Sequence, residues 1–121
     1  MKLLVIAVTG FALTTVWSRN RDLLASAPDT ALNLRNPLQG EQARRAGAKL
    51  YARECAACHG KSGEGLRNAP PLAREDVRQV PPGALFWVLR NGALTRGMPS
   101  FAHLPEPQRW QIIAYLQRAA P

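Results

Sequence analysis

Cys55-Ala56-Ala57-Cys58-His59 sets two thiols and an imidazole within one short run. Thiols three positions apart can reach the two vinyl groups of one porphyrin. The imidazole of the next residue can then ligate the iron. C-x-x-C-H is the attachment signal of a covalently bound c-type haem. Other chemistries fit these residues less well. A structural zinc site needs four ligands, and the chain offers only Cys55, Cys58, His59 and the distant His103. A thioredoxin-like thiol pair needs a βαβ setting, and no strand pattern surrounds this one. A simple disulfide would leave His59 without a role. With two cysteines in all and a single C-x-x-C-H, the chain carries one haem and keeps no spare thiol.

The candidates for a second iron ligand are Met98 and His103. Met98 lies in Gly97-Met98-Pro99-Ser100-Phe101, where Gly97 would let the backbone approach the haem and Pro99 would stiffen the loop. A methionine on a Gly/Pro loop makes poor core filler, so Met98 is the preferred ligand and His103 a loop histidine. Thioether and imidazole together favour ferrous iron more than two imidazoles do, and they leave no open position for substrate. His59 also needs an acceptor for its other ring nitrogen, usually a backbone carbonyl. Pro70 or Pro71 could supply it.

Helices must carry these groups. Ala43, Gly47, Leu50, Tyr51 and Glu54 recur at three- and four-residue intervals, which predicts a helix from Glu41 to Cys55. Gly47 inside it is unfavourable by about 1 kcal/mol relative to Ala, which suggests close approach of another backbone. Gly60, Gly63, Gly65 and Ala69-Pro70-Pro71-Leu72 predict loop and extended chain. A second helix is expected over Pro82–Arg90, stopped by Asn91-Gly92. A last one is expected over Glu106–Arg118, with Pro107 tolerated in its first turn. That helix is apolar around most of its circumference, so it should be buried by the haem on one side and the first helix on the other. A domain of this size has a small core. The macrocycle would supply the missing apolar volume, and the chain without it should be largely unfolded.

At the N-terminus, Met1-Lys2 precedes an uncharged apolar run from Leu3 to Trp17, closed by Arg19 and Arg21. The run spans about 22 Å as a helix, short of a roughly 30 Å hydrocarbon core. Its layout is that of a secretory signal. The Ala25-Ser26-Ala27 cleavage pattern is separated from it by charges, so an uncleaved anchor is slightly preferred. Both assign export. Residues 1–17 are thus a signal peptide or anchor, 18–40 a linker with Pro28, Pro37 and Gly40, and 41–121 the haem domain.

The whole chain carries a formal +8. From Glu41 onward twelve Lys and Arg face six Asp and Glu, a net +6. The cations are dispersed and not interleaved with aromatics, which argues against nucleic acid. A solvated basic face and a docking face for an acidic redox partner fit equally. By neighbourhood in sequence, Lys61 and Arg96 belong near the haem edge and Arg118 at the far end.

Residues 41–121 resemble class I cytochromes c of the compact bacterial type. The resemblance rests on Gly47, Tyr51, Cys55-Ala-Ala-Cys-His59-Gly60, Pro70-Pro71-Leu72, Gly97-Met98-Pro99 and Trp110-Gln-Ile-Ile-Ala-Tyr115-Leu116. It implies an all-α fold of three to four helices around one haem c, with Cys55, Cys58, His59, Met98 and Pro71 as the residues that hold it. The family's proline carbonyl, about twelve residues after the ligand histidine, would be that of Pro71. Gly47 and Tyr51 would cross Ile112 and Tyr115. The implied function is electron transfer, without chemistry of its own. The setting is the periplasmic side of a bacterial inner membrane, as a free carrier or as a subunit of a respiratory dehydrogenase or terminal oxidase. The rivals are a gas sensor or haem enzyme in which Met98 dissociates.

Overall fold

The computed structural model describes residues 21–67 and 69–118. The Leu3–Trp17 run and the first residues of the expected linker lie outside them. The described residues form six α-helices, α1 (Asp29–Leu32), α2 (Glu41–Glu54), α3 (Ala56–His59), α4 (Glu75–Gln79), α5 (Pro82–Asn91) and α6 (Glu106–Leu116), with a 3-10 turn at Leu94–Arg96 between the last two. Residues 21–25 are also helical. Extended pairing among these residues is limited to two isolated bridges, Leu66 with Ala69 and Ala93 with Met98.

The three long helices start and stop where local chemistry demands. Glu41 sits in the first turn of α2 and Arg53 in its last, each at the end that its charge complements. Pro82 opens α5 and Gly92, at φ +71°, ends it. Pro107 sits in the first turn of α6. Tyr51, Ile112 and Ile113 are the most completely buried large side chains, each favouring the folded chain by about 1.5–3 kcal/mol. Phe86 of α5 stacks on Trp110 of α6, with centroids 4.0 Å apart and planes at 11°. As expected, α6 packs on α2; its second helix partner is α5, which the apolar pattern did not identify.

The α2–α6 crossing is the most extensive helix contact. Gly47 makes it possible, because a Cβ there would overlap the Gln111 carbonyl and come within 2.9 Å of Tyr115 Cβ. The partners of Gly47 are therefore Gln111 and Tyr115, in place of the expected Ile112. Ile112 turns inward and is fully buried. Tyr51 and Tyr115 meet with ring centroids 5.2 Å apart.

Residues 24–38 are more than a linker. Ala27 and Ala31 form a small buried cluster with Ala84 of α5, flanked by Leu24, Leu32, Val80 and Trp87. Gly83 admits this strap, since a Cβ there would overlap the Ala31 carbonyl. Further on, buried Asn36 donates from Nδ2 to the Trp110 carbonyl at 2.9 Å and accepts from the Leu38 N–H at 2.9 Å. Proline, glycine and polar residues hid this docking from periodicity, because its anchors are short-range alanine contacts and one amide.

The two helical glycines predict different failures. Alanine is favoured over glycine in a helix by about 1 kcal/mol, but at Gly47 the obstacle is the backbone of another helix. Gly47→Ala should therefore lower stability by about 1–3 kcal/mol, read as a lower urea midpoint of the haem-loaded protein. At Gly83 the obstacle is the Ala31 carbonyl of a short strap outside the long helices. Gly83→Ala should expose new proteolytic cuts between residues 33 and 40 with a smaller loss of stability. Equal losses from the two would show that the strap is part of the cooperative core.

Candidate haem site

Cys55 ends α2 and opens α3 with φ −119° and ψ −33°. Its carbonyl accepts the N–H groups of Cys58 at 3.2 Å and His59 at 2.9 Å. This one-turn helix gathers the two sulfurs and the imidazole at the end of the long helix. Both thiols are unpaired, Cys55 buried and Cys58 exposed. Burial, reinforced by neighbouring Glu54 and Cys58, pushes the Cys55 thiol up to about 11. A thiol held protonated in this way is a poor redox nucleophile.

The turn ends at Gly60, with φ +91°. The buried Tyr51 hydroxyl donates to the Gly60 carbonyl at 2.6 Å, and the Gly63 N–H donates to the same carbonyl at 3.1 Å. The Gly65 N–H reaches the His59 carbonyl at 2.7 Å. His59 Nδ1 lies 2.8 Å from the Pro70 carbonyl. A carbonyl can only accept, so Nδ1 carries the proton and Nε2 keeps the lone pair that a metal would take.

The acceptor is thus Pro70, which corrects the assignment to Pro71 made from the family's usual spacing. Local loop geometry gives the reason. Leu66 and Ala69 exchange hydrogen bonds of 3.2 and 3.1 Å just before the prolines. Just after them, the N–H groups of Leu72 and Ala73 both bond to the Gly63 carbonyl, at 2.8 and 3.0 Å. Gly65 lies against the peptide between the prolines, where a Cβ would come within 2.7 Å of Pro71 N. The chain is clamped on both sides, and the carbonyl turned to the imidazole is the first proline's.

Met98 is held by a second loop. It exchanges two backbone bonds with Ala93, of 3.0 and 3.1 Å. The Ser100 hydroxyl donates to the Arg90 carbonyl at 2.5 Å, and the Phe101 N–H to the Leu89 carbonyl at 2.7 Å. The segment is folded back onto the end of α5, with the half-buried Met98 packed against the main core. Gly92 is the glycine that allows close approach here, since a Cβ would meet the Met98 carbonyl at 2.8 Å. A Cβ on Gly97 would meet nothing, and its φ of +83° is what calls for glycine. No protein atom crowds Gly97, and the side of the loop it leaves open is available to a cofactor. His103 is exposed, with its ring centroid 6.0 Å from that of Phe101.

Arg118 is not where sequence neighbourhood puts it. Arg118 bonds to the Tyr115 carbonyl, stacks 3.7 Å from the Tyr115 ring centroid and lines a small cavity with Ser62 and Gly63. It is close to the His59 loop and cannot serve as a remote charge. Arg109 is buried, with its guanidinium carbon 4.7 Å from the Phe86 centroid and no hydrogen-bond acceptor for Nε or Nη1. Sequence reasoning also missed the Tyr51 hydroxyl. Helical periodicity identifies its ring and is blind to the oxygen at its tip.

These residues fit a covalently attached haem. The sulfurs are free, and the imidazole is oriented through Nδ1 with Nε2 available. Residues 42–116 match the family described as cytochrome C oxidase, cbb3-type, subunit III. The match begins inside α2 and ends with α6, leaving the strap outside. No curated protein matches the chain. Among solved structures it is similar to cytochrome CL from the marine methylotrophic bacterium Methylophaga aminisulfidivorans, at 22% identity and a TM-score of 0.56. That likeness covers 95% of this chain and 72% of the other. At this identity the likeness shows a shared fold.

The sulfur geometry carries a direct test. The intact mass should exceed that of the chain by one haem, and acidified acetone should fail to extract it. Extractable haem would overturn thioether attachment. Replacing Cys55 and Cys58 together by Ala should leave a mostly unfolded chain, measured by far-UV circular dichroism.

Proposed function

The chain belongs to the cytochrome c family described as cytochrome C oxidase, cbb3-type, subunit III, and from that premise we propose that it carries single electrons on one low-spin haem c. His59 and Met98 are the proposed axial ligands, with Cys55 and Cys58 as the points of attachment. The observation that carries this reading is the 2.8 Å contact between His59 Nδ1 and the Pro70 carbonyl. It orients an imidazole directly after the two thiols and raises its basicity toward a metal at Nε2. The haem would supply the one-electron iron couple. The protein holds the imidazole in one orientation and keeps Met98 on a loop tied to α5. Two such ligands leave no position for substrate, so the chain acts as a carrier or electron-transfer subunit and not as an enzyme.

Members of the cytochrome c family are typically extracytoplasmic. Among the described residues no helix is long and apolar enough to cross a membrane. We assign export to the Leu3–Trp17 run, as signal or anchor, and propose a dehydrogenase or terminal oxidase with an acidic docking face as the redox partner.

Ligation is tested by spectroscopy. Met98→Ala should convert the iron to high-spin or admit an external ligand, abolish the weak red band of methionine-to-iron charge transfer and lower the potential. His103→Ala should leave the spectrum unchanged. The reverse pattern would make His103 the ligand and reject the His/Met assignment.

Docking is tested by salt. The Debye length shrinks from about 30 Å at 0.01 M to about 8 Å at 0.15 M, so association with an acidic partner should slow steeply over that range. Lys61 and Arg96 are exposed beside His59 and Met98. Reversing either charge should slow transfer more than reversing Arg45. That residue is paired with Glu41 on the exposed face of α2, about 15 Å up the helix from Cys55. A rate insensitive to salt and to all three variants would point to a permanent subunit contact.

A further inference from the structure

Tyr51 sits on α2 one turn before Cys55, at the helix crossing, where its ring meets Tyr115. Packing alone would be served by phenylalanine. The hydroxyl has a separate task. It donates at 2.6 Å to the Gly60 carbonyl, deep in the protein, and Gly60 is the residue after His59. The same carbonyl accepts the Gly63 N–H, and the Gly63 carbonyl in turn accepts the N–H groups of Leu72 and Ala73. Those two residues close the segment whose Pro70 carbonyl faces His59 Nδ1. Hydrogen bonds, joined by short stretches of backbone through Gly63 and Pro71, therefore lead from the Tyr51 hydroxyl to the acceptor of the imidazole proton.

We propose that Tyr51 is a positioning residue for His59, whose hydroxyl, through the backbone of Gly60 and Gly63, holds the Pro70 carbonyl against Nδ1 and so sets the donor strength of Nε2. This rests on the assignment of His59 as the haem ligand. The loop needs such a tie because of its glycines. Gly60 and Gly63 have φ of +91° and +74°, and glycine restrains its own backbone least. The arrangement of the loop then depends on its hydrogen bonds. Burial pushes the Tyr51 phenol up to about 12, so the hydroxyl stays protonated and donates under all ordinary conditions. An acceptor held close to Nδ1–H makes the imidazole a stronger donor. A stronger donor favours ferric iron. Loosening the loop should therefore raise the potential.

The test uses the haem-loaded protein and Tyr51→Phe, which keeps the ring and removes only the hydroxyl. Three quantities are read: the midpoint potential, the His59 ring-proton resonances and the exchange rates of the Gly63, Leu72 and Ala73 amides. The potential should rise, the His59 resonances should move, and the three amides should exchange faster. Ile113→Val, which thins the core away from this network, and Tyr115→Phe, which removes the neighbouring hydroxyl, should both leave the potential at the parent value. An unchanged potential and unchanged His59 resonances in Tyr51→Phe would overturn the proposal, even if the melting temperature fell. So would a shift of equal size in Ile113→Val, which would show generic loosening. If the parent itself lacks a covalent low-spin haem, the electron-transfer assignment fails and this proposal fails with it. If the parent is low-spin and only Tyr51→Phe is silent, this proposal alone fails.

Discussion

The backbone-to-backbone approach of α2 and α6 at Gly47 governs much of this fold. A single Cβ would collide with the Gln111 carbonyl, so the helices reach this separation only because none is present. Once they are that close, the Tyr51 and Tyr115 rings meet, and Ile112 and Ile113 are sealed into the core. The crossing also fixes where α2 ends. Cys55 is its terminal cap, and the one-turn helix carrying Cys58 and His59 follows at once. Rigid helix packing thereby determines where three short side chains can present themselves to a flat cofactor.

Beyond the helices, the loops that carry Pro70 and Met98 are held by main-chain bonds that repeat one design. Each loop folds back on itself and is clamped on either side of the residue that matters. Around the prolines, the Leu66–Ala69 pairing and the two bonds to the Gly63 carbonyl leave Pro70 facing the imidazole. Around Met98, the Ala93 pairing and the bonds from Ser100 and Phe101 tie the loop to α5. Loops built this way hold the Pro70 carbonyl and Met98 in fixed positions.

The charges and the N-terminal segment show how far packing can depart from composition. Arg109 counts toward the basic balance, yet it lies buried on the Phe86 face. Aromatic stacking and a buried alkyl stem make such a position tolerable for a guanidinium. Residues 24–38, rich in turn formers, are docked through Ala27, Ala31 and Asn36 onto α5 and α6. The packed helical unit therefore includes residues that precede the family match.

What the amino-acid sequence determined by itself is whatever depends on local spacing. The C-x-x-C-H run, the three long helices, the proline starts of α5 and α6 and the Gly92 stop are decided by residues a few positions apart. The need for close approach at Gly47 was legible too, because glycine inside an amphipathic helix is unfavourable unless something fills its place. Only the tertiary structure decided which groups meet across long separations. It selected Pro70 over Pro71 and Gln111 over Ile112 as the partner of Gly47, and it set Gly92 against the Met98 carbonyl. It also brought Arg118 back to the His59 loop and joined the Tyr51 hydroxyl to Gly60. The physical reason is common to all five. A carbonyl, a hydroxyl or a guanidinium finds its partner by direction and distance in the packed chain, and side-chain periodicity carries neither.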